Sequence, residues 1–194
     1  MNRFRLLFLA LFLLALPCVA PAQEAERDAD FIAGRAALDD GFFEVAAGRF
    51  EAYINSTIVR RKKANASVFL FMAWHKMGQD QKIIDWLNEN AKVAANTRYE
   101  GSYFYWYAQA HHALGRFDTA LDFLDTFRAR YPDDELAPYA MRLRALALRG
   151  SGKLAESERW FRTFYETYPN WPDLPDHLMD WAGVLIALKD RNEA

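Results

Sequence analysis

Gly115-Arg116-Phe117-Asp118-Thr119-Ala120 is one member of a series. Gly41-Phe42-Phe43-Glu44-Val45-Ala46 and Gly152-Lys153-Leu154-Ala155-Glu156-Ser157 share its layout, and Gly78-Gln79-Asp80-Gln81-Lys82-Ile83 follows it more loosely. The leading glycines stand at 41, 78, 115 and 152, a constant step of 37, and a fifth copy falls at Lys189 to Ala194. Chance rarely holds a register through four copies, so the chain is a repeat protein.

Each unit can be read outward from its glycine. Ahead of it runs a stretch with helical apolar spacing, such as Leu70, Phe71 and Trp74, or Phe104, Tyr107, Ala108 and His111. Glycine ends that helix because it adopts positive φ without a Cβ clash. A second helix follows, apolar at Phe117, Ala120, Leu121, Leu124 and Phe127, with a counterpart at Leu154, Trp160, Phe161 and Phe164. Tyr131-Pro132-Asp133-Asp134 and Tyr168-Pro169-Asn170 close two units, since proline cannot sit in a continuing helix. One such hairpin cannot bury both its faces, and stacking hairpins makes a continuous core.

The second-helix pattern Phe117, Ala120, Leu124, Phe127 and Pro132 resembles the tetratricopeptide repeat (TPR), as does Leu154, Ser157, Phe161, Phe164 and Pro169. Gly34 and Ala108 fit the small position of the first helix and Phe71 does not; Ile83 and Ser157 stand where the family has alanine. The 37-residue period and the closing Tyr-Pro-Asp-Asp-Glu-Leu-Ala are similar to bacterial envelope TPR proteins, such as the outer-membrane assembly lipoprotein and the Tol-Pal accessory protein. The resemblance implies an all-α, right-handed TPR-type α-solenoid over residues 23–194. Its approximate units are 27–63, 64–100, 101–137, 138–174 and an incomplete 175–194. It also implies a concave groove lined by the first helices, where a protein or peptide partner lies. The groove positions carried over are Asn65, Val68, Met72 and His75; Tyr105, Gln109 and His112; and Tyr139, Arg142, Leu146 and Arg149. That set combines aromatic anchors with arginines able to grip carboxylates.

The first 22 residues have a different character. Arg3 and Arg5 precede an unbroken apolar run, Leu6 to Leu16, and Ala20-Pro21-Ala22 offers small residues at a cleavage site. This is the layout of a secretory signal peptide, with a run too short for a comfortable membrane span of roughly 20 residues. Removing residues 1–22 takes away two arginines and no acid, which moves the net charge from −2 to −4. The single cysteine, Cys18, lies inside this leader, so the mature chain uses neither disulfides nor thiol chemistry. The expected location is the periplasm. Lipidation of Cys18, giving an outer-membrane lipoprotein, stays open, although Pro17 stands where a lipobox wants a small residue.

Composition excludes disorder, at 52% hydrophobic and 15% aromatic residues, and the near-neutral charge gives no general attraction to nucleic acid. The basic run Arg60-Arg61-Lys62-Lys63 reads as a solvated linker between helices. No constellation points to an enzyme, a cofactor or a metal. His111 and His112 are neighbours whose side chains diverge by about 100° on a helix. Gly150-Ser151-Gly152-Lys153 fails as a phosphate loop, with Ala147 in place of its first glycine and Leu154 in place of its hydroxyl. The expectation is therefore an exported, non-catalytic protein-binding scaffold of the cell envelope. The alternative is an accessory domain of an envelope enzyme or assembly whose remainder lies outside this chain. Finally, the last segment carries Leu178, Met179, Trp181, Ala182, Val184, Leu185, Ile186 and Leu188, too many apolar residues for one buried stripe. Further repeats, or self-association through Trp181, Leu185 and Ile186, would cover them.

Overall fold

The computed structural model describes residues 21–193, with side chains described from 28 to 191. Residues 1–20, with the expected leader's apolar run and Cys18, lie outside the described residues. Nine α-helices follow in order among those described: α1 (Pro21–Asp39), α2 (Phe43–Ser56), α3 (Arg60–Lys76), α4 (Asp80–Asn90), α5 (Glu100–Ala113), α6 (Phe117–Arg130), α7 (Ala137–Gly150), α8 (Leu154–Thr167) and α9 (Leu174–Glu193). One 3-10 turn, Ala91–Val93, stands between α4 and α5. There is no strand among the described residues, and none of these helices is long and apolar enough to cross a membrane.

The four glycines do what their spacing predicts. Gly41, Gly78, Gly115 and Gly152 take φ of 81°, 70°, 72° and 77°, and each ends the first helix of a hairpin. The same pair of hydrogen bonds recurs at every one. In the third hairpin Gly115 N donates to His112 O (2.9 Å) and Arg116 N to His111 O (2.8 Å), the Schellman pattern. Five residues after each glycine come Ala46, Ile83, Ala120 and Ser157, all fully buried. The Ser157 hydroxyl is satisfied there by donating to the Ala145 carbonyl of the facing helix at 2.7 Å. Four residues further on, Phe50, Leu87, Leu124 and Phe161 are likewise in the core.

Two expectations need correction. The basic run Arg60 to Lys63 is the first turn of α3 rather than a linker, because the connection from α2 needs only Thr57 to Val59. Lys62 accordingly reaches back to Asp28 at 3.1 Å. The turn expected at the fifth repeat copy does not form: α9 runs unbroken to Glu193. Lys189 occupies the glycine register there, and a side chain with a Cβ disfavours the left-handed turn.

The core is uneven along the array. One large cluster runs from Ala37 to Ala110, joining Phe50, Leu70, Phe71, Trp74, Ile83, Leu87, Tyr103 and Trp106 across the first three hairpins. Beyond it the buried residues divide into three smaller clusters, around Leu124 and Phe127, around Leu121 and Leu148, and around Phe161 and Val184.

Candidate functional site

The first helices α3, α5 and α7, followed by α9, bring most of the expected groove residues into one connected polar surface. His75, at the end of α3, holds Asp80 Oδ1 through Nδ1 at 2.6 Å, and its Nε2 lies 3.1 Å from Gln109 Nε2 on α5. With Nδ1 donating to the carboxylate, Nε2 is the acceptor and the amide of Gln109 the donor. Tyr105, one turn earlier on α5, donates its hydroxyl to Gln109 Oε1 at 3.4 Å. The chain carboxylate, imidazole, amide and phenol is thus continuous across two hairpins.

Burial pushes the Tyr105 hydroxyl well above the usual phenol range, and the neighbouring Tyr139 reinforces this while Arg142 opposes it. Those two neighbours tie α5 to α7. Burial likewise lowers the pKa of His112, helped by Arg149 and His75 and opposed by Asp180 and Asp80. His75, Tyr105, Gln109, His112, Tyr139, Arg142 and Arg149 therefore share one electrostatic neighbourhood. Tyr139 is 38% exposed and meets the edge of Trp171 at 5.0 Å. The four remaining positions act differently: Val68 and Met72 pack on the large core, Leu146 packs beside Phe161, and Asn65 is half-buried near the start of α3.

Sequence reasoning missed the residue that organises the arginines. Asp180 of α9 accepts from Arg142 through Nε (3.2 Å) and Nη2 (2.5 Å), and lies 3.8 Å from Arg149 Nη1. Its register equivalents, Phe69, Trp106 and Leu143, are all apolar packing residues, so a carboxylate there is a departure visible once the repeats are aligned. His177 is a second polar residue of α9 that packs inward. It is fully buried, its ring stacked 3.9 Å from Phe164, with Nε2 donating to Phe161 O at 3.0 Å. Desolvation lowers its pKa, so the neutral ring is the form that packs. Its register equivalents are Ala66, Tyr103 and Ala140.

His111 and His112 diverge as neighbours on a helix must, His111 stacking on Phe123 at 5.7 Å and His112 meeting the edge of Phe117 at 5.5 Å. No group of three potential metal ligands gathers among the described residues. Leu185 and Ile186 are 47% and 63% exposed. Trp181 is not part of that face. It is half-buried on the docked side of α9, beside Ala145, Phe161 and Val184, with Tyr165 at 6.0 Å.

Among solved structures, the chain is similar to a variant of a Podosopora anserina protein described as a kinesin light chain of nearly identical TPR-like repeats. The TM-score is 0.66 at 15% identity, over 87% of this chain and 89% of that one. The fold is TPR-like. No family model and no curated protein matches the chain.

Proposed function

We propose that this protein is an exported, non-catalytic scaffold of the cell envelope that holds an extended segment of a partner along the face built by α3, α5, α7 and α9. The observation that carries this reading is the convergence of His75, Tyr105, Gln109, His112, Tyr139, Arg142 and Arg149, from three hairpins, into one surface. An isolated amphipathic helix face has no reason to align such groups from hairpin to hairpin. Asp180 neutralises one of the two guanidinium charges and leaves a net positive end. Arg149, whose side chain is 44% exposed, is the open donor for a partner carboxylate. Tyr139 beside Trp171 supplies an aromatic platform at the same end.

The test is site-specific photocrosslinking in envelope fractions. A photoreactive phenylalanine at Tyr139 or Arg149 should give the same discrete adduct, and one at the exposed Asp122 or Thr163 should give none. An adduct from Asp122 and Thr163 alone would overturn the reading. Export has its own test: the intact mass of the protein from a bacterial periplasmic fraction should correspond to a new amino terminus at Gln23 or Pro21. A full-length chain held in membranes would refute cleavage, and an added acyl mass on Cys18 would establish the lipoprotein form instead.

A further inference from the structure

Successive hairpins do not fill the junctions between them alike. Between α6, α7 and α8 lies a cavity of about 100 Å³, open on one side. Phe127, Tyr131, Trp160 and Tyr168 line it with their rings, together with Ala140 and Met141. An apolar cavity of about 150 Å³ takes up one benzene ring, so a smaller one with an open side accepts a ring whose edge stays at the mouth. The cavity lies away from the groove: Arg144, in its wall, leaves α7 about 200° around from Arg142.

The 37-residue register shows how the space arises. Ala140 corresponds to Tyr103 one unit earlier and to His177 one unit later. The His177 ring is fully buried and stacks on Phe164 at 3.9 Å, and Phe164 is the counterpart of Phe127. With alanine at 140, Phe127 has no such ring stacked on it from α7. Ala66 holds the position in the first unit, and a cleft lies at that junction too, beside Ile54, Leu70 and Trp86. The charged residue in the wall of that cleft is an acid, Glu51.

In the cavity beside α7 the charged residues of the wall are both arginines. Arg144 and Arg128 hold their guanidinium groups 4.8 and 5.7 Å from the centre of the Trp160 ring. They share one carboxylate: Asp125 Oδ1 lies 2.7 Å from Arg144 Nη1 and 3.7 Å from Arg128 Nη2. Arg144 Nε is buried with no hydrogen-bond partner, and the Arg128 side chain is 65% exposed. Two cations against one anion leave the wall positive, with Arg128 able to turn its planar donor fork to a second carboxylate. The same charges disfavour a cation among these rings, which their faces alone would attract.

We propose that this cavity binds a small aromatic carboxylic acid with a single ring. The ring takes the place against Phe127 that His177 takes against Phe164 one unit later. The carboxylate pairs with Arg128 at the mouth, while Asp125 keeps Arg144. Register sets the ring, the paired guanidinium groups set the acid, and the volume sets the size. A ligand of about a dozen non-hydrogen atoms, held by one ring and one exposed ion pair, binds weakly, with a dissociation constant of about 1 mM.

Fluorine NMR of 3-(4-fluorophenyl)propionate with the full chain should show saturable binding near that concentration. Ala140→Phe supplies the ring from the protein itself, and should weaken binding by about tenfold or more while leaving the circular dichroism spectrum unchanged. Ala140→His, which copies the residue one unit later, is the smaller substitute should the phenylalanine unfold the chain. Arg128→Gln should weaken binding by about three- to tenfold and bring the acid level with 3-(4-fluorophenyl)propan-1-ol. Arg149→Gln, on the groove side, should leave the affinity for this probe as it was. Four results would each overturn the proposal. They are no saturable binding up to about 10 mM, an affinity indifferent to both Ala140 substitutions, the alcohol or 4-fluorobenzyltrimethylammonium binding the unaltered protein as tightly as the acid, and loss of affinity in Arg149→Gln, which would put the probe in the groove.

Discussion

Two glycines on neighbouring helices offer a matched test of how closely the first hairpin is packed. Gly48 lies inside α2 with open space where a Cβ would go. Gly34, inside α1, would place a Cβ 2.9 Å from Phe50 Cε1 and 3.1 Å from Phe50 Cδ1 and Cζ. The Phe50 ring has no room to retreat: it is fully buried, with Phe31 at 5.9 Å and Phe69 stacked at 5.7 Å. Replacing an interior helical glycine with alanine gains about 0.8–1 kcal/mol from backbone entropy. Gly48→Ala should therefore stabilise the protein by about that much. Gly34→Ala makes the same gain and adds overpacking against an immobile ring, worth about 1–3 kcal/mol. The net effect at Gly34 is about 0–2 kcal/mol of destabilisation, and the two chemically identical substitutions should differ by about 1–3 kcal/mol. At about 2–4 °C per kcal/mol for a chain of this size, melts should separate by several degrees in opposite directions. Urea titrations followed by circular dichroism and by tryptophan fluorescence would give the same ordering. If Gly34→Ala stabilises as much as Gly48→Ala, the approach of α1 to Phe50 is not close, and the assignment of Gly34 to the small first-helix position fails with it.

Ala120→Leu should cost about 1–3 kcal/mol, because the residue is fully buried at a small position of the hairpin contact, and an unchanged thermal midpoint would contradict that placement. Gly115→Ala should cost about 1–2 kcal/mol through its φ of 72°, although no atom obstructs the added Cβ, so a melt that does not move would rule out the left-handed turn. Stability should fall in acid through His177. Its folded pKa lies below the unfolded value of about 6.5, so its contribution is complete above that pH and is lost as pH drops through the folded value. His111 and His112 are shifted in the same direction and add to the slope. His177→Leu should flatten the change in urea midpoint between pH 7.5 and 5.5 without abolishing it, and an unaltered slope would remove His177 from the explanation.

The hairpins and their register were legible because they rest on local rules. A glycine with positive φ, a small residue five later and a large one four after that each have a one-residue signature, and four copies amplify it. Closure of the second hairpin was harder to read. It lacks the proline of its neighbours, and the chain instead leaves α4 through the 3-10 turn at Ala91–Val93. The groove positions could be carried over by register, yet the residue that pairs their arginines could not. Asp180 comes from α9, two helices and 38 residues beyond Arg142, and no local pattern announces a partner at that distance. Whether His177 would be buried was equally illegible, since a buried neutral histidine has the same sequence signature as an exposed one. Trp181 was assigned to the open face of α9 because hydrophobicity says that a residue wants cover, not which neighbour gives it.

The division of the core has a consequence for how the array comes apart. Hydrophobic packing is continuous from Phe31 to Trp106, whereas the later hairpins hold together through separate, smaller groups of side chains. In a linear stack each unit leans only on its neighbours, so such a difference becomes a direction. Opening should begin at α9 and travel toward α5, and amide exchange should slow stepwise toward the amino-terminal hairpins, with the slowest protons around Phe71 and Ile83. A pull on the two ends of the chain would likewise be yielded to from one side, leaving the first hairpins folded as a stump from which the rest can re-form.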